Sequence, residues 1–345
     1  MSDWTDRIDL AAIQLGGRVV RANDEFFASK ENLIEPHDPV WLEGEYTDRG
    51  KWMDGWETRR RREPGHDWCI IRLGLSGQIK GVVVDTTHFK GNYPEACSIE
   101  ACALDPEVGE ASSVLKLPDA VDWVELVPRT PLSGDTRHEL AVSDEGRYTH
   151  VRLNIYPDGG VARLRVFGDV VPDWEAISRH GEPIDLAAVE HGARPISCSD
   201  KFFSDPRNLL MPGRGENMGD GWETRRRRGP GYDWVIIQLG RRGVIQQAEI
   251  DTCHFKGNYP DTCRLELCDA GDSPDSEELA ANLARGDGWQ ELLPQTKLKA
   301  HHQHFFTGEL AECDPATHVR LSIYPDGGIS RLRLVGRPSE AADRS

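Results

Sequence analysis

The sequence predicts an all-β protein made of two tandem antiparallel jelly-roll β-sandwich domains. Long motifs occur twice at a nearly constant offset, which indicates an internal duplication. Short β-branched runs, bounded by turn residues, recur about every ten residues, as is typical of sandwiches and barrels. Glycine (34 residues) and proline (21 residues) are abundant and favour turns over long helices.

The duplication sets the expected domain limits. Three motifs recur in order: DGWETRRRR at 54–62 and 220–228, DTTHFKGNYP at 85–94 and DTCHFKGNYP at 251–260, HVRLNIYPDGG at 150–160 and HVRLSIYPDGG at 318–328. We expect these segments: repeat one at 1–170, a linker at 171–183, repeat two at 184–337 and a C-terminal tail at 338–345.

Each repeat carries one insertion that the other lacks. Residues 34–50 of repeat one are predicted to form a long loop, which brings Trp41 and Tyr46 close to the arginine motif in the sequence. Residues 271–288 of repeat two contain DSEELAANLARG, which predicts a short helix capped by Asp275. The two insertions are the main expected differences between the repeats.

The strand-like runs include WCIIRLGL, IKGVVVDT and VARLRVFG, which predict separate short strands. Cysteines recur in both repeats at an odd separation, as Cys97 with Cys102 and Cys263 with Cys268. Alternation along a strand sends the two thiols of a pair to opposite faces, so they can neither bridge nor share a metal. We interpret them as reduced cysteines of the core.

Composition excludes several classes of partner. The net charge is −17, whereas binding to nucleic acid or to an anionic membrane requires a basic surface. No apolar stretch approaches the roughly 20 residues of a membrane-spanning helix. The beginning, MSDWTDRIDL, has none of the features of a signal peptide. A cytoplasmic protein is expected, and the sequence leaves a homo-oligomer open.

The arginine motif is a candidate binding site for a carboxylate. Guanidinium groups form a fork that matches a carboxylate, and one or two arginines of each run could serve. The alternative is a solvated strand whose arginines pair with the abundant acids of this chain. The residues proposed to bind substrate here are Glu57, Arg59 and Arg60 in repeat one, and Glu223, Arg225 and Arg226 in repeat two.

The HFKGNY motif follows an apolar strand and carries the candidate catalytic groups. In repeat one these are Asp85, His88 and Lys90, with Asn92 and Tyr93 beside them. A carboxylate, an imidazole and an ammonium group so close together could act as orienter, acid or base, and electrostatic stabiliser. The alternative is a structural loop in which Gly91-Asn92 supplies a positive φ and Asp85 caps backbone amides. The counterparts in repeat two are Asp251, His254, Lys256, Asn258 and Tyr259.

The remaining motifs carry less chemistry. YPDGG and the arginines after it predict a turn and a strand, and His150 and His318 are expected to be satisfied edge residues. The cluster of His301, His302 and His304 has no counterpart in repeat one, and we interpret it as an adventitious metal patch. No HExxH, CxxC, Walker or Rossmann signature is present, so no cofactor and no essential metal are expected.

The three motifs, in order and present twice, resemble those of the allantoicase family. The resemblance runs from about residue 9 to residue 333. It implies two jelly rolls similar to galactose-binding and discoidin modules. It also implies allantoate as the small-molecule substrate, which water converts to ureidoglycolate and urea in the degradation of purine nitrogen.

The products constrain the mechanism, because urea leaves whole and the central carbon gains a hydroxyl. The bond that breaks therefore joins the central carbon to a urea nitrogen, and no acyl-enzyme is required. We expect an arginine to hold the carboxylate, the histidine to shuttle the proton with the aspartate orienting it, and the lysine to neutralise charge. Asparagine and tyrosine would bind urea-like amides. The alternative function is a non-catalytic tandem protein that binds carbohydrate or another small ligand.

Overall fold

A computed structural model describes residues 3–104, 121–271, 277–286 and 288–339. The chain divides into two compact units, with the boundary between Val171 and Pro172. Among the described helices, none is long and apolar enough to cross a membrane.

Repeat one consists of strands and short 3₁₀ turns in its described part. The strands are β1 (Ile8–Asp9), β2 (Arg18–Ala22), β3 (Tyr46–Thr47), β4 (Gly50–Lys51), β5 (Trp56–Glu57), β6 (Asp67–Asp85), β7 (Ala96–Cys102), β8 (Val124–Pro131), β9 (Arg137–Ala141), β10 (Arg147–Tyr156), β11 (Gly160–Val161) and β12 (Arg163–Val170). The 3₁₀ turns are Asp3–Asp6, Ile13–Leu15 and Lys30–Ile34.

Repeat two follows the same order of strands, without counterparts of β3 and β4 in its described part, and the second unit also contains two helices. The helices are α1 (Trp174–Ser178) and α2 (Glu277–Arg285). The strands are β13 (Ile184–Asp185), β14 (Arg194–Cys198), β15 (Trp222–Glu223), β16 (Asp233–Asp251), β17 (Thr262–Cys268), β18 (Gln290–Lys297), β19 (Gln303–Phe306), β20 (Ala316–Tyr324), β21 (Gly328–Ile329) and β22 (Arg331–Pro338). The 3₁₀ turns are Val189–His191, Pro206–Leu210 and Met218–Asp220.

The long strand β6 organises repeat one. Its first half pairs antiparallel with β2 and β10, and β10 continues the layer to β7 and β8. Its second half pairs with β12 and β9, and β12 continues to β1. One strand thus serves both layers of the sandwich, and β16 has the same partners in repeat two.

Alternation along these strands fills the core. Residues from both halves of β6 belong to a single apolar cluster, for example Ile71 and Val82, which are both fully buried. Leu153 from one layer and Leu164 from the other are also fully buried in this cluster. The prediction of an all-β chain with two tandem antiparallel domains is therefore confirmed.

The structure differs from the predicted elements in two places. WCIIRLGL and IKGVVVDT are parts of one continuous strand, because Gly74 and Gly77 let the backbone pass close to other chain segments without ending the ladder. The predicted linker contains helix α1, whose first turn is capped by the Asp173 carboxylate accepting the Ala176 N–H (3.0 Å).

The insertions take the expected secondary structure. The repeat-one insertion is a loop that contains only the two-residue strands β3 and β4. The predicted helix in the repeat-two insertion is present as α2, while its predicted cap, Asp275, lies outside the described residues.

All eight cysteines are free, and this includes the two recurring pairs that were predicted to be reduced. Burial raises the pKa of the Cys97 thiol to about 12 and that of Cys102 to about 11, so both stay protonated at neutral pH. These thiols act as apolar side chains of the core.

One phenylalanine of the HFKGNY loop packs against the other two repeated motifs. Phe89 of the HFKGNY loop is fully buried and packs on Gly55 of the arginine motif and Gly160 of YPDGG. A Cβ placed on Gly160 would lie 2.0 Å from Phe89 Cε1, so only glycine fits there. In repeat two, Phe255 packs in the same way on Gly328, where the corresponding distance is 1.9 Å.

We expect Gly160→Ala to destabilise repeat one. Overpacking of this kind costs roughly 1–3 kcal/mol or more, because Phe89 is enclosed and cannot move aside. Urea denaturation followed by tryptophan fluorescence measures the change. The matched control is Gly308→Ala, where a Cβ meets nothing within 4 Å, and its effect should stay within about 0.5 kcal/mol. Equal stabilities for the two variants would contradict the packing role of Phe89.

Candidate active site

The arginine motif is first of all a structural frame. Trp56 is fully buried, and its Nε1–H donates to the Asp24 carbonyl (2.8 Å). Thr58 Oγ1 accepts the N–H of Gly159 in the YPDGG turn (3.1 Å). Trp222 and Thr224 make the corresponding bonds in repeat two. The exact recurrence of this motif therefore has a structural reason in both repeats.

The four arginines of repeat one divide into two paired and two free side chains. Arg59 binds the Asp24 carboxylate (Nε–Oδ2 2.6 Å) and Arg61 binds buried Asp67 (2.7 Å). Arg60 and Arg62 are exposed, and neither has an ionic partner within the described ranges. The run is extended coil rather than strand, yet its side chains alternate between paired and free.

Repeat two places its arginines in the same manner. Arg227 pairs with buried Asp233, and Arg225 stacks on the Phe202 ring at 4.1 Å. Arg226, like Arg60, is exposed and has no acidic partner in the part of the chain that the structure describes. Of the predicted arginines, Arg60 and Arg226 are therefore the ones left open to a ligand.

The backbone of the HFKGNY loop is unusual at its histidine. His88 has φ 71° and His254 has φ 70°, a left-handed conformation that is uncommon for residues other than glycine. The structural interpretation placed the positive φ at Gly91-Asn92, and this was wrong. Asp85 Oδ1 accepts the Thr87 N–H (2.8 Å), so its capping role is confirmed.

The insertion of repeat one holds the His88 ring. His88 Nε2 lies 3.2 Å from the Pro39 carbonyl oxygen, and the Trp41 ring packs beside it with centroids 5.6 Å apart. A carbonyl only accepts, so Nε2 carries the proton and Nδ1 of the neutral ring keeps a lone pair. The group that orients His88 is thus the Pro39 carbonyl, whereas Asp85 was expected in that role.

An exposed aspartate supports the same loop from the other side. Asp135 Oδ1 accepts the His88 N–H (2.8 Å), and its Oδ2 lies 3.7 Å from Lys90 Nζ. The His88 N–H, followed by the Lys90 charge, lowers the pKa of the Asp135 carboxyl. Lys90 is largely exposed and remains able to reach a ligand.

Glu57 and Asn92 connect the first two motifs directly. Asn92 Nδ2 donates to Glu57 Oε1 (2.7 Å), and Asn258 donates to Glu223 in repeat two (2.5 Å). Burial raises the pKa of the Glu57 carboxyl, against the opposing effect of the Asn92 bond. A half-buried carboxyl with a raised pKa keeps its proton to a higher pH than a free carboxyl does, which suits a proton donor.

A cavity of about 290 Å³ brings these groups together in repeat one. Of the predicted residues, Glu57, His88, Lys90 and Asn92 line it. The sequence interpretation missed Phe27, Gly50, Lys51, Met53 and Gly91 as lining residues, and it named Trp41 only as part of a loop near the arginine motif. Lys51 Nζ lies 3.7 Å from the centre of the Trp41 ring, a cation–π contact.

Four predicted residues of repeat one do not line this cavity: Asp85, Arg59, Arg60 and Tyr93. Arg59 and Arg60 line a separate cleft of about 570 Å³ with Arg61 and Arg62. Tyr93 packs against the apolar cluster around Phe89. The structure therefore does not bring the arginine run and the HFKGNY loop into one cavity.

Repeat two surrounds its loop with different residues. His254 Nε2 is 2.8 Å from the Gly215 carbonyl, and the His254 N–H donates to His301 Nδ1 (2.8 Å). Asp251 is fully buried and pairs with Arg214 (3.0 Å). Lys256 and Tyr259 occupy the same positions in this loop as Lys90 and Tyr93 do in repeat one.

His150 and His318 are core residues rather than ligands. Each ring Nδ1 lies 2.9 Å from the hydroxyl of the preceding threonine, and each Nε2 is buried without a hydrogen-bond partner within the described ranges. Burial lowers the pKa of each to about 4, so both are neutral at physiological pH. The expectation of edge residues was wrong, because β10 and β20 pair on both sides, and only one ring nitrogen of each histidine is satisfied.

The cavity of repeat one and the groups around it indicate a class of protein. A β-sandwich with a carboxyl, an imidazole and ammonium groups around a cavity of this size is built to bind a small polar molecule and to move protons on it.

Comparison with known proteins gives the family. The allantoicase repeat model matches residues 8–171 and 184–339. The chain is 49% identical to a probable allantoicase of Pseudomonas paraeruginosa, over 96% of each chain, and 48% identical to probable allantoicase 2 of Burkholderia pseudomallei, over 95% and 94%. The crystal structure of Saccharomyces cerevisiae allantoicase matches with a TM-score of 0.77 at 38% identity, over 95% of this chain and 92% of that one. The chain belongs to the allantoicase family.

We expect Arg61 and Arg60 to differ sharply in their effect on stability. Arg61→Met leaves the buried Asp67 carboxylate without its guanidinium, which should cost about 1–3 kcal/mol. Arg60→Met removes an exposed side chain and should change stability by less than about 0.5 kcal/mol. Urea denaturation of both variants beside the parent measures the difference. A stable Arg61→Met variant would contradict the structural role of this arginine.

Proposed function

We propose that this chain hydrolyses allantoate to ureidoglycolate and urea in the cavity of repeat one. Membership of the allantoicase family supports a hydrolase acting on allantoate and favours it over the carbohydrate-binding alternative. The location of the active site in repeat one is supported by the cavity. Glu57, His88 and Lys90 line it, and its size suits a small ureido acid.

The carboxylate of the substrate needs a cation inside this cavity. Lys51 lines it and has no carboxylate partner within the described ranges, whereas Lys90 is already 3.7 Å from Asp135. The Trp41 face holds the Lys51 ammonium group in place. Lys51 is therefore our choice for the carboxylate, with Arg60 in the neighbouring cleft as the rival from the sequence.

The reaction then needs one proton donor and one acceptor. Protonated Glu57 donates to the nitrogen of the departing urea as its bond to the central carbon breaks. His88 Nδ1 takes a proton from the remaining ureido nitrogen or from the attacking water, whose oxygen becomes the new hydroxyl. Asn92, fixed by Glu57, offers its amide oxygen to the urea N–H groups. Lys90 neutralises the charge that develops on the carbonyl oxygens.

The assignment to repeat one rests on its insertion. Pro39 orients His88 and Trp41 lines the cavity, and both come from the segment 34–50 that repeat two lacks; Lys51, which also lines the cavity, directly follows that segment. Repeat two has the corresponding loop residues His254, Lys256 and Asn258, and it has Glu223 in the arginine motif. The residues around its loop histidine, however, differ from those in repeat one. We infer that the two repeats are unequal in catalysis.

The remaining sequence predictions concern the setting of the enzyme. The net charge of −17 supports the absence of nucleic-acid and anionic-membrane partners, and the cytoplasmic location stays a prediction from the sequence. Self-association into a homo-oligomer is left open by the sequence.

We expect Glu57→Gln to lower kcat by roughly 10²–10⁴-fold, because the general acid is lost. The matched control, Glu223→Gln in repeat two, should retain most of the activity. Urea and ureidoglycolate are measured together with the purified full chain and allantoate. A folded parent that releases no urea above the uncatalysed rate would contradict the function. Equal losses in the two variants would contradict the location in repeat one.

Stability provides the control for folding. The raised pKa of Glu57 means that the folded state holds its proton more tightly than the unfolded state, so this residue stabilises at low pH. That contribution is lost as pH rises through the folded pKa. Glu57→Gln removes the charge that burial disfavours, so above the folded pKa it should be at least as stable as the parent, which urea denaturation of both proteins measures.

We expect Lys51→Met to raise KM for allantoate by roughly 10–100-fold with a smaller change in kcat. A charge-assisted hydrogen bond held in the ground and transition states alike contributes about 1.5–3 kcal/mol to binding. Steady-state kinetics of Lys51→Met and Arg60→Met decide between the two cations. If Arg60→Met raises KM and Lys51→Met leaves it unchanged, the carboxylate lies on the arginine run.

A further inference from the structure

A cluster of soft metal ligands lies in the second repeat, outside the cavity described above. Cys253, His254 and His301 place one donor atom each within 4.8 Å of the others. In repeat one, Thr87 and His88 occupy the corresponding loop positions. Asp135 corresponds to His301, because each accepts the backbone N–H of the loop histidine at 2.8 Å. At two of the three positions, repeat one thus has a side chain with oxygen (Thr87 and Asp135), whereas repeat two has one with sulfur or nitrogen (Cys253 and His301).

His254 is held in the way that metal-binding histidines usually are. Its Nε2–H donates to the Gly215 carbonyl (2.8 Å), which leaves the Nδ1 lone pair free for an ion. His301 Nδ1 already directs its lone pair into the cluster, where it accepts the His254 N–H. A coordinate bond from this atom would replace that single hydrogen bond.

We propose that repeat two binds one divalent ion of the zinc type through Cys253 Sγ, His254 Nδ1 and the His301 ring. A thiolate with two imidazoles is a ligand set for Zn²⁺, whereas Mn²⁺ and Mg²⁺ prefer oxygen. Three protein ligands leave a fourth tetrahedral position for water. Ligand atoms around zinc lie about 3.3–3.6 Å apart, given its bond lengths. His301 is exposed, and its side chain can close the remaining distance.

The neighbouring carboxylate is not part of this ligand set. Asp251 Oδ1 accepts the Cys253 N–H (2.9 Å), and the Asp251 carboxylate is paired with Arg214. The ion would tie the HFKGNY loop of repeat two to the His301 segment. In repeat one, Asp135 makes that connection through the His88 N–H and Lys90, and in repeat two the His254 N–H bond to His301 makes it when no ion is bound.

The test uses the reduced full-length protein, stripped of metal with a chelator and titrated with Co²⁺. We expect a near-ultraviolet thiolate-to-cobalt charge-transfer band that saturates at one equivalent and is abolished by Zn²⁺, while Mn²⁺ does not compete. Cys253→Thr, which installs the residue of repeat one, should remove the band. His301→Asp should weaken Co²⁺ binding at least about tenfold, since even indirect partners of a metal commonly matter that much.

Two controls separate this site from general binding to thiols and histidines. Cys313→Ser and His302→Gln change the same residue types in the same repeat, outside the cluster, and should leave the titration unchanged. Circular dichroism shows whether each variant is folded. The absence of a band at one equivalent in the parent, or a band that survives Cys253→Thr in folded protein, would overturn the proposal. Neither result depends on urea release, so the proposed function is tested separately.

Discussion

The packing of one buried phenylalanine against two glycines is the constraint on which each repeat depends. Phe89 closes the space between the arginine motif and the YPDGG turn, and the Gly160 N–H then donates to the Asn92 carbonyl (2.7 Å). This contact fixes where the HFKGNY loop leaves the end of β6. It therefore also fixes where His88 stands relative to Glu57. Because Phe255 makes the same contact in repeat two, the loop end is preserved in both copies.

Most residues of the repeated motifs are committed to this frame. Buried Arg163 donates to Asp54 Oδ2 (2.7 Å), and Arg331 is paired with Asp220 in the same place. A buried pair of this kind is strongly destabilising to break, since either partner alone would be an uncompensated charge. A motif can therefore recur within one chain because the fold requires its residues, and not only because catalysis does. The groups left over, among them Glu57, His88 and Lys90, line the cavity of repeat one.

The sequence predicted the architecture well because duplication and strand alternation are local signals. It predicted the loop that carries His88 for the same reason, since the motif follows an apolar strand. It could not predict that Pro39 and Lys51 reach this loop, because contacts across an insertion leave no periodic pattern. The pairing of Arg61 with Asp67 was equally hidden, and the positive φ at His88 contradicts the glycine rule that sequence reasoning uses.

The left-handed histidine shows how one frame can support two kinds of chemistry. At φ near 70° the N–H of His88 or His254 points to a side chain on the neighbouring segment, which is an aspartate in one repeat and a histidine in the other. Such a conformation persists only where the surroundings hold it, and here the next residue, Phe89 or Phe255, is fully buried and the histidine N–H is hydrogen-bonded. The acceptor can then change without loss of the loop. Under this constraint, one copy of a duplicated domain can carry an aspartate beside its loop histidine while the other carries a cysteine and a second histidine there.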